Sequence, residues 1–233
     1  MAETQMQQPV APTSPSGGYP VSFTVDYPDG PRNRLTTFFR LFTVIPIYIV
    51  LILLTGGSFN GDSSIFNWGS GFADRDTGWS FAYATWGILF AATLLMVLFR
   101  QKYPRWWFDW NLALTRFSAR FESYLFLLRD EYPSTDEEQA VHLEIVYPDV
   151  KKDLNRWLPL VKWFLAIPHY IVLVFLGIAA IVATIFAWFA ILFTGRYPRS
   201  LFDMVVGTYR WALRVAAYAL LLTTDRYPPF SLS

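Results

Sequence analysis

The pattern of hydrophobic and polar positions divides the chain into short alternating segments, long apolar runs and amphipathic segments. Alternation with a period of two over residues 21–26 and 141–145, closed by Tyr-Pro-Asp at Tyr27 and Tyr147, predicts two β-strands. Two isolated strands are marginally stable. We therefore expect them to pair with each other or to rest on membrane-facing helices.

The apolar runs predict membrane-spanning helices. Residues 35–55 and 81–99 are each about 20 residues long, the length of helix that crosses a hydrocarbon core. The run over residues 157–194 is about 38 residues long, too long for one span, and Gly177 is its obvious turning point. We therefore expect a helical hairpin in each half. Pro46 and Pro168 lie about ten residues into the first spans and predict a packing kink or a functional hinge.

An internal repeat organises the chain. Asn33-Arg34-Leu35 corresponds to Asn155-Arg156-Trp157 at an offset of 122, whereas Tyr103-Pro104-Arg105 corresponds to Tyr197-Pro198-Arg199 at an offset of 94. The difference of 28 indicates an insertion in the first copy, in the polar, glycine-rich stretch at about 56–80. The predicted segments are a disordered polar tail (1–18), repeat 1 (19–133), an acidic linker (134–140) and repeat 2 (141–233).

A third segment follows the apolar part of each copy, at residues 105–128 and 199–223. Its charged positions recur at steps of 4, 7 and 4, which form one stripe on a helix. The stripe consists of Arg105, Asp109, Arg116 and Arg120 in the first copy and of Arg199, Asp203, Arg210 and Arg214 in the second. Because arginine is costly at the bilayer centre, we expect an amphipathic helix at the interface, with the stripe in water.

The stripe has three interpretations. Paired arginines at the interface suit anionic lipid head groups, which guanidinium binds in bidentate fashion. A solvated face of Arg and Asp ion pairs explains the same spacing. A third span in each copy, with the stripe paired inside the bundle, would instead give inverted repeats and a transport pathway.

Composition and charge support a membrane location. The chain is 54% hydrophobic and 19% aromatic but only 16% charged, below the roughly 25% of soluble domains. Basic residues flank each predicted hairpin, so the positive-inside rule places both termini in the cytoplasm and the pseudo-twofold axis along the membrane normal. A net charge of +1 offers no field for nucleic acid.

Catalytic chemistry has little support in the residues. The chain has no cysteine and two histidines, which excludes thiol nucleophiles, iron–sulfur clusters and cysteine-bearing zinc sites. His169 is a weak ligand candidate, because the other histidine, His142, lies in a predicted strand outside the membrane; a packed histidine is the preferred interpretation. We predict no metal, no cofactor and no catalytic residue.

Several motifs carry a family resemblance. They are the strand with Tyr-Pro-Asp, Asn-Arg-Leu at 33–35, Ile-Pro-His-Tyr at 167–170, the segment 190–199 and Asp-Arg-Tyr-Pro-Pro-Phe at 225–230. They resemble the bacterial membrane proteins of domain-of-unknown-function family 4389. The resemblance implies a bacterial plasma membrane location and an often duplicated domain, and it brings no activity or functional residue.

These observations predict a mainly α integral membrane protein. Its two tandem repeats each comprise a short β-strand, a transmembrane helical hairpin and an amphipathic interfacial helix. We expect a non-catalytic, multi-pass module of the inner membrane that scaffolds a complex, serves as an accessory subunit or organises lipid. Its expected partners are the bilayer, anionic lipids and a protein in a membrane complex. The alternatives are a small transporter or channel built on the repeat and, less favoured, a lipid-modifying enzyme.

Overall fold

The computed structural model describes residues 18–28, 30–55, 80–135, 137 and 139–233. The side chains of residues 41, 52–55, 80–89 and 151 lie outside this description. The predicted disordered tail falls outside the described residues except for Gly18, and the predicted insertion does so except for Ser80.

Two strands form the sheet. β1 (Val21–Val25) pairs with β2 (Val141–Ile145) in antiparallel orientation, with Phe23 opposite Leu143. Alternate residues of both strands are buried, and those between them are exposed. The prediction that the two strands pair with each other is confirmed.

Eight helices make the described part of the chain mainly α-helical. They are α1 (Arg34–Phe38), α2 (Arg40–Thr55), α3 (Ser80–Arg100), α4 (Arg105–Leu125), α5 (Val150–Asp153), α6 (Pro159–Leu165), α7 (Ile167–Thr194) and α8 (Arg199–Ala219). Asn33 caps α1 by accepting a hydrogen bond from the Leu35 amide at 3.0 Å. Gly195 ends α7 in the left-handed region, with φ of 73°, where glycine bears no Cβ penalty.

The predicted hairpin in the second half is wrong, because α7 is one continuous helix. Its 28 residues extend about 42 Å, and Gly177 lies inside it. One glycine costs a helix only about 1 kcal/mol relative to alanine, so it does not force a turn. The break in this run lies at Ala166, between α6 and α7, and Pro168 occupies the first turn of α7, where its missing donor costs nothing. Pro46 lies inside α2.

The first half does not form a returning hairpin either. At one end of α4, Tyr124 hydroxyl lies 2.7 Å from Thr43 Oγ1 of α2. At the other end, Trp107 Nε1 donates to Thr93 Oγ1 of α3 at 2.9 Å. The start of α2 and the end of α3 are therefore separated by most of the length of α4. Because α4 makes the return, α2 and α3 together follow one direction, as α7 does.

The two halves exchange their strands. β1 packs on α8 and β2 packs on α4, so each strand lies on the last long helix of the other half. In α8, Phe202, Val206 and Leu213 face the sheet, while Trp211 and Val215 lie on the opposite face in a cluster with α6 and α7. The molecule thus has three layers: the sheet, then α4 with α8, then α2 with α7.

This layering corrects the prediction of interfacial third helices. Both faces of α8 are covered by protein, since Phe202, Trp211 and Leu213 are only 2%, 5% and 6% exposed. In α4, Phe108 is 5% exposed, whereas Trp106 is 68% exposed. The sheet covers one face of α4 and one face of α8, which we expected to contact water or lipid. Local periodicity does not reveal such a contact.

Candidate functional site

A large apolar face covers the side of the molecule formed by α1, α2, α6 and α7. Within the described residues, α7 is the one helix long and apolar enough to cross a membrane, and 17% of its most apolar window is buried. Such low burial differs from that of a soluble core helix. We define the apolar face by its exposed members Phe38, Phe42, Ile45, Val161, Phe164, Ile171, Phe175, Ile178, Val182, Ile185, Phe189 and Phe193.

A polar surface lies on the opposite side, at the sheet. Ser22, Thr24, His142 and Glu144 are exposed there. The sheet lies level with the middle of α8, because Arg210 Nε donates to the Phe23 carbonyl at 2.8 Å. The next residue of α8, Trp211, donates through Nε1 to His169 Nδ1 near the start of α7 at 3.1 Å, and Tyr209 lines the same cavity as Gly177. The sheet therefore lies level with the first half of α7.

Exposed basic residues stand at both ends of α7. Lys152 and Arg156 precede the α6–α7 pair, and Arg196 and Arg199 follow it. Arg156 Nε donates to the Leu98 carbonyl near the end of α3 at 2.7 Å. Positive charge therefore flanks the apolar face at both of its ends.

The inner arginines of the predicted stripe form hydrogen bonds within the fold: Arg116, Arg120, Arg210 and Arg214. Arg116 Nε donates to the Leu143 carbonyl of β2 at 2.9 Å, as Arg210 does to β1. Arg120 donates to the Ser134 carbonyl at 2.8 Å, and Arg214 donates to carbonyls near the C-terminal end of the chain. The expectation of a wet stripe is wrong for Arg214, which is 8% exposed.

The outer residues of the stripe, Arg105, Asp109, Arg199 and Asp203, are exposed. Arg199 Nε lies 3.4 Å from Asp203 Oδ1, and the Arg199 guanidinium lies 4.5 Å from the Tyr27 ring centroid. Arg105 lies 5.0 Å from the ring centroid of Tyr147. Arg105, Arg199 and the exposed part of Arg116 therefore remain available to anionic head groups, and Asp109 is exposed as well. The head-group role itself stays a prediction.

Two buried cation sites escaped the sequence analysis. Lys162, fully buried in α6, contacts Asp225 Oδ1 at 2.6 Å and donates to the Thr224 carbonyl at 2.7 Å. Burial lowers the pKa of Lys162, and the hydrogen bond to Asp225 opposes this effect. Arg40 pairs with Asp130 in the same way. The available signal was that Arg40 and Lys162 are separated by the repeat offset of 122.

His169 lies in an aromatic enclosure. It is fully buried, and Trp211 Nε1 donates to its Nδ1 at 3.1 Å. The Phe230 ring stacks on it at 4.0 Å, and Tyr227 lies 4.8 Å away. His142 is on the outer face of the sheet. The structure therefore does not bring the two histidines together.

The layers and the apolar face define a mainly helical protein with one helix of membrane-spanning length and a small two-stranded sheet. Residues 157–231 match the family model described as Domain of unknown function (DUF4389). This match covers α6, α7 and α8 and supports the family resemblance there. Neither the curated proteins nor the solved structures contain a match to the chain.

Proposed function

We propose that the protein is a non-catalytic membrane module embedded in one leaflet, with α7 along the membrane plane and the sheet in water. The observation that carries this proposal is the position of the exposed polar sheet, level with the first half of α7, between its two ends, and opposite the apolar face. In this role the module scaffolds or serves a membrane complex, or organises lipid around itself.

An upright α7 is disfavoured by the sheet. It would place the exposed side chains of Ser22, Thr24, His142 and Glu144 at a depth between the two ends of α7, within the hydrocarbon core. An acidic residue costs up to about 2.5–3.5 kcal/mol at the bilayer centre on insertion scales, and an open sheet edge has no partners in lipid. An in-plane α7 instead buries the apolar face in acyl chains and leaves the sheet hydrated.

The basic residues support the same orientation. The positive-inside rule assigns both ends of α7 to the cytoplasmic side. A continuous helix that crossed the bilayer would place Arg156 and Arg196 on opposite sides. An in-plane helix keeps both beside the cytoplasmic head groups, so the proposal replaces the multi-pass topology of the sequence prediction and retains cytoplasmic termini.

We also infer that the two halves arose from a tandem duplication. Corresponding contacts support it: Tyr27 and Tyr147 hydroxyls donate to the carbonyls of Tyr197 and Tyr103, both at 2.5 Å. The paired bonds from Arg116 and Arg210 to the two strands support it equally. A twofold axis along the membrane normal relates two such halves when their long helices lie in the membrane plane.

Single cysteines test the orientation, since the chain contains none. We would place them at Lys152, Arg196, Thr24 and Ile178, four exposed positions, and label right-side-out and inverted bacterial membrane vesicles with an impermeant maleimide. The proposal expects Lys152→Cys, Arg196→Cys and Thr24→Cys to react from the cytoplasmic side and Ile178→Cys to react from neither.

The other topologies give different patterns. Labelling of the Lys152 and Arg196 positions from opposite sides would establish a spanning α7. Labelling of the Ile178 position from the periplasmic side would restore the hairpin. A chain that stays in solution without detergent after membrane removal would refute membrane embedding altogether.

Anionic lipid binding tests the role of the exposed stripe arginines. We expect the Arg105→Gln, Arg199→Gln double variant to bind phosphatidylglycerol vesicles more weakly, with unchanged binding to phosphatidylcholine. The matched control is Asp109→Asn with Asp203→Asn, which removes exposed charge of opposite sign. Equal loss on both lipids would assign the two arginines to folding.

A further inference from the structure

A cavity of about 210 Å³ lies between α4, α7 and α8. Leu173, Gly177 and Ile181 of α7 form one wall, and Phe126 and Val205 contribute to the others. Ile181 is 54% exposed, so the cavity reaches the surface beside the apolar face. Because an engineered cavity of roughly 150 Å³ accommodates benzene, this space is large enough for a small organic molecule.

Among the described lining residues, Glu122 provides the one carboxyl group, and Ser123, Thr208 and Tyr209 are the other polar residues of a mainly apolar lining. Glu122 of α4 forms a side-chain hydrogen bond with Tyr209 of α8. The adjacent Ser123 is 1% exposed, and its hydroxyl has no hydrogen-bond partner. The described lining residues include no lysine, arginine or histidine. The cavity therefore offers an acid and hydroxyl groups without a positive charge to balance the acid.

The fold itself does not require this acid. At the repeat offset of 94, Glu122 corresponds to Ala216 and Tyr209 corresponds to Thr115, so the related position in the other half lacks both groups. A buried carboxylate without a counter-charge is costly. A ligand that supplies the missing positive charge explains why the cavity contains the acid.

The charge of this site changes near neutral pH. Burial raises the pKa of Glu122 to about 7, and the hydrogen bond with Tyr209 opposes that rise. Burial and the neighbouring carboxyl raise the pKa of Tyr209, which stays protonated. Tyr209 is the titratable group that faces Glu122; α7 contributes Leu173, Gly177 and Ile181 to the same space, and none of them titrates.

We propose that this cavity binds a small lipophilic amine as its ammonium ion, with the Glu122 carboxylate as the counter-charge. The apolar part of the ligand lies against α7 near Gly177. An anion would be repelled by the carboxylate. The site is formed by α4, α7 and α8 and does not depend on the membrane orientation proposed above.

Benzylamine, benzyl alcohol and benzoate are suitable probes, since they share one ring and differ in charge. Isothermal titration calorimetry on the full chain in lipid nanodiscs should show benzylamine binding at least about tenfold more tightly than benzyl alcohol at pH 8, with benzoate weaker than both. Below about pH 7, protonation of Glu122 competes with the amine. Affinity should then fall about tenfold per pH unit, and each bound amine should release one proton.

Three variants distinguish the effect of the Glu122 charge on ligand binding from the effect of the cavity volume. Glu122→Gln keeps the shape and should make amine and alcohol bind equally, without pH dependence. Gly177→Leu fills the cavity, because a Cβ at this position meets nothing within 4 Å, and should abolish binding of both probes while Glu122 remains. Glu144→Gln, on the exposed face of the sheet, should behave as the unchanged protein. Equal binding of amine and alcohol by the unchanged protein, persistence of the pH dependence in Glu122→Gln, or no benzylamine binding at millimolar concentration would overturn the proposal.

Discussion

Among the described residues, the acidic partner of Lys162 is Asp225. Its ammonium group is fully buried and lies 2.6 Å from Asp225 Oδ1. We expect Asp225→Asn to lower the free energy of unfolding by about 3–5 kcal/mol, because it leaves a buried charge without compensation. Chemical denaturation in detergent measures the loss. Asp203→Asn, which removes an exposed partner of Arg199, is the control and should cost less than about 1 kcal/mol.

A double variant separates lost charge pairing from lost packing. Lys162→Met combined with Asp225→Asn removes both charges and keeps similar volumes, so it should recover much of the stability that Asp225→Asn loses. If the double variant is as unstable as the single one, the acid matters through its other contacts. One of these is the hydrogen bond that it accepts from the Asn155 amide.

Two glycines differ sharply in the space around them. A Cβ at Gly207 would lie 2.9 Å from both the Cβ and the carbonyl oxygen of Leu232. We expect Gly207→Ala to displace the segment around Leu232 and to accelerate its cleavage in limited proteolysis. Gly177→Ala has open space and should instead raise the free energy of unfolding by about 0.5–1 kcal/mol. Identical cleavage rates in both variants would contradict the close approach at Gly207.

The two strands depend on arginines from the helices beneath them. Arg116 and Arg210 each donate to a strand carbonyl, at 2.9 and 2.8 Å. We expect Arg116→Ala or Arg210→Ala to cost about 1.5–3 kcal/mol, the usual worth of a hydrogen bond to a charged group. Because the sheet has two strands in the described part of the chain, amide hydrogen exchange should accelerate in both strands in either variant.

An exposed arginine provides the comparison. Arg199 is paired with Asp203 on the surface of α8, so Arg199→Ala should leave strand exchange rates unchanged. Equal acceleration in all three variants would mean that exchange reports general loosening of the fold. Unchanged exchange in Arg116→Ala and Arg210→Ala would mean that strand pairing holds without them.

The elements differ in how far local sequence determines them. The strands were predictable because alternation and a proline turn are local signals. The form of α7 was not, since an apolar run of any length fits both a hairpin and a continuous helix. The continuous form is favoured by a row of buried residues along the part of α7 beyond Gly177: Ala180, Ala183, Ala187 and Ile191. Its steps of 3, 4 and 4 were present in the sequence, but their partner helix was not identifiable.

The arginine stripe shows the same limit of sequence-based prediction at the candidate site. The spacing placed Arg116 on one face of α4 and Arg210 on the corresponding face of α8. Their hydrogen-bond acceptors, however, lie 27 and 187 residues away in sequence. Charge spacing identifies a face; it does not identify what covers that face. The buried Lys162 escaped for the same reason, because Asp225 is distant in sequence.

The pH dependence of stability is a property of the whole molecule to which Glu122 contributes. Burial raises its pKa from 4.5 to about 7, so between these values the folded chain binds more protons than the unfolded chain. The free energy of unfolding should therefore fall as pH rises through this window. Glu122→Gln should flatten that fall in denaturation series between pH 4.5 and 8. A variant that keeps the slope of the unchanged protein would place the titration elsewhere.

The exchanged strands have a consequence for biosynthesis. Within the part of the chain that the structure describes, β1 pairs with β2, more than a hundred residues later, and β1 rests on α8, which follows later still. A nascent chain that has exposed only its first half therefore displays an unpaired apolar strand and an uncovered α4. Emergence of α8, rather than emergence of the first half, is the event that permits this fold to close. Until then a chaperone or a second nascent copy can occupy the vacant strand position.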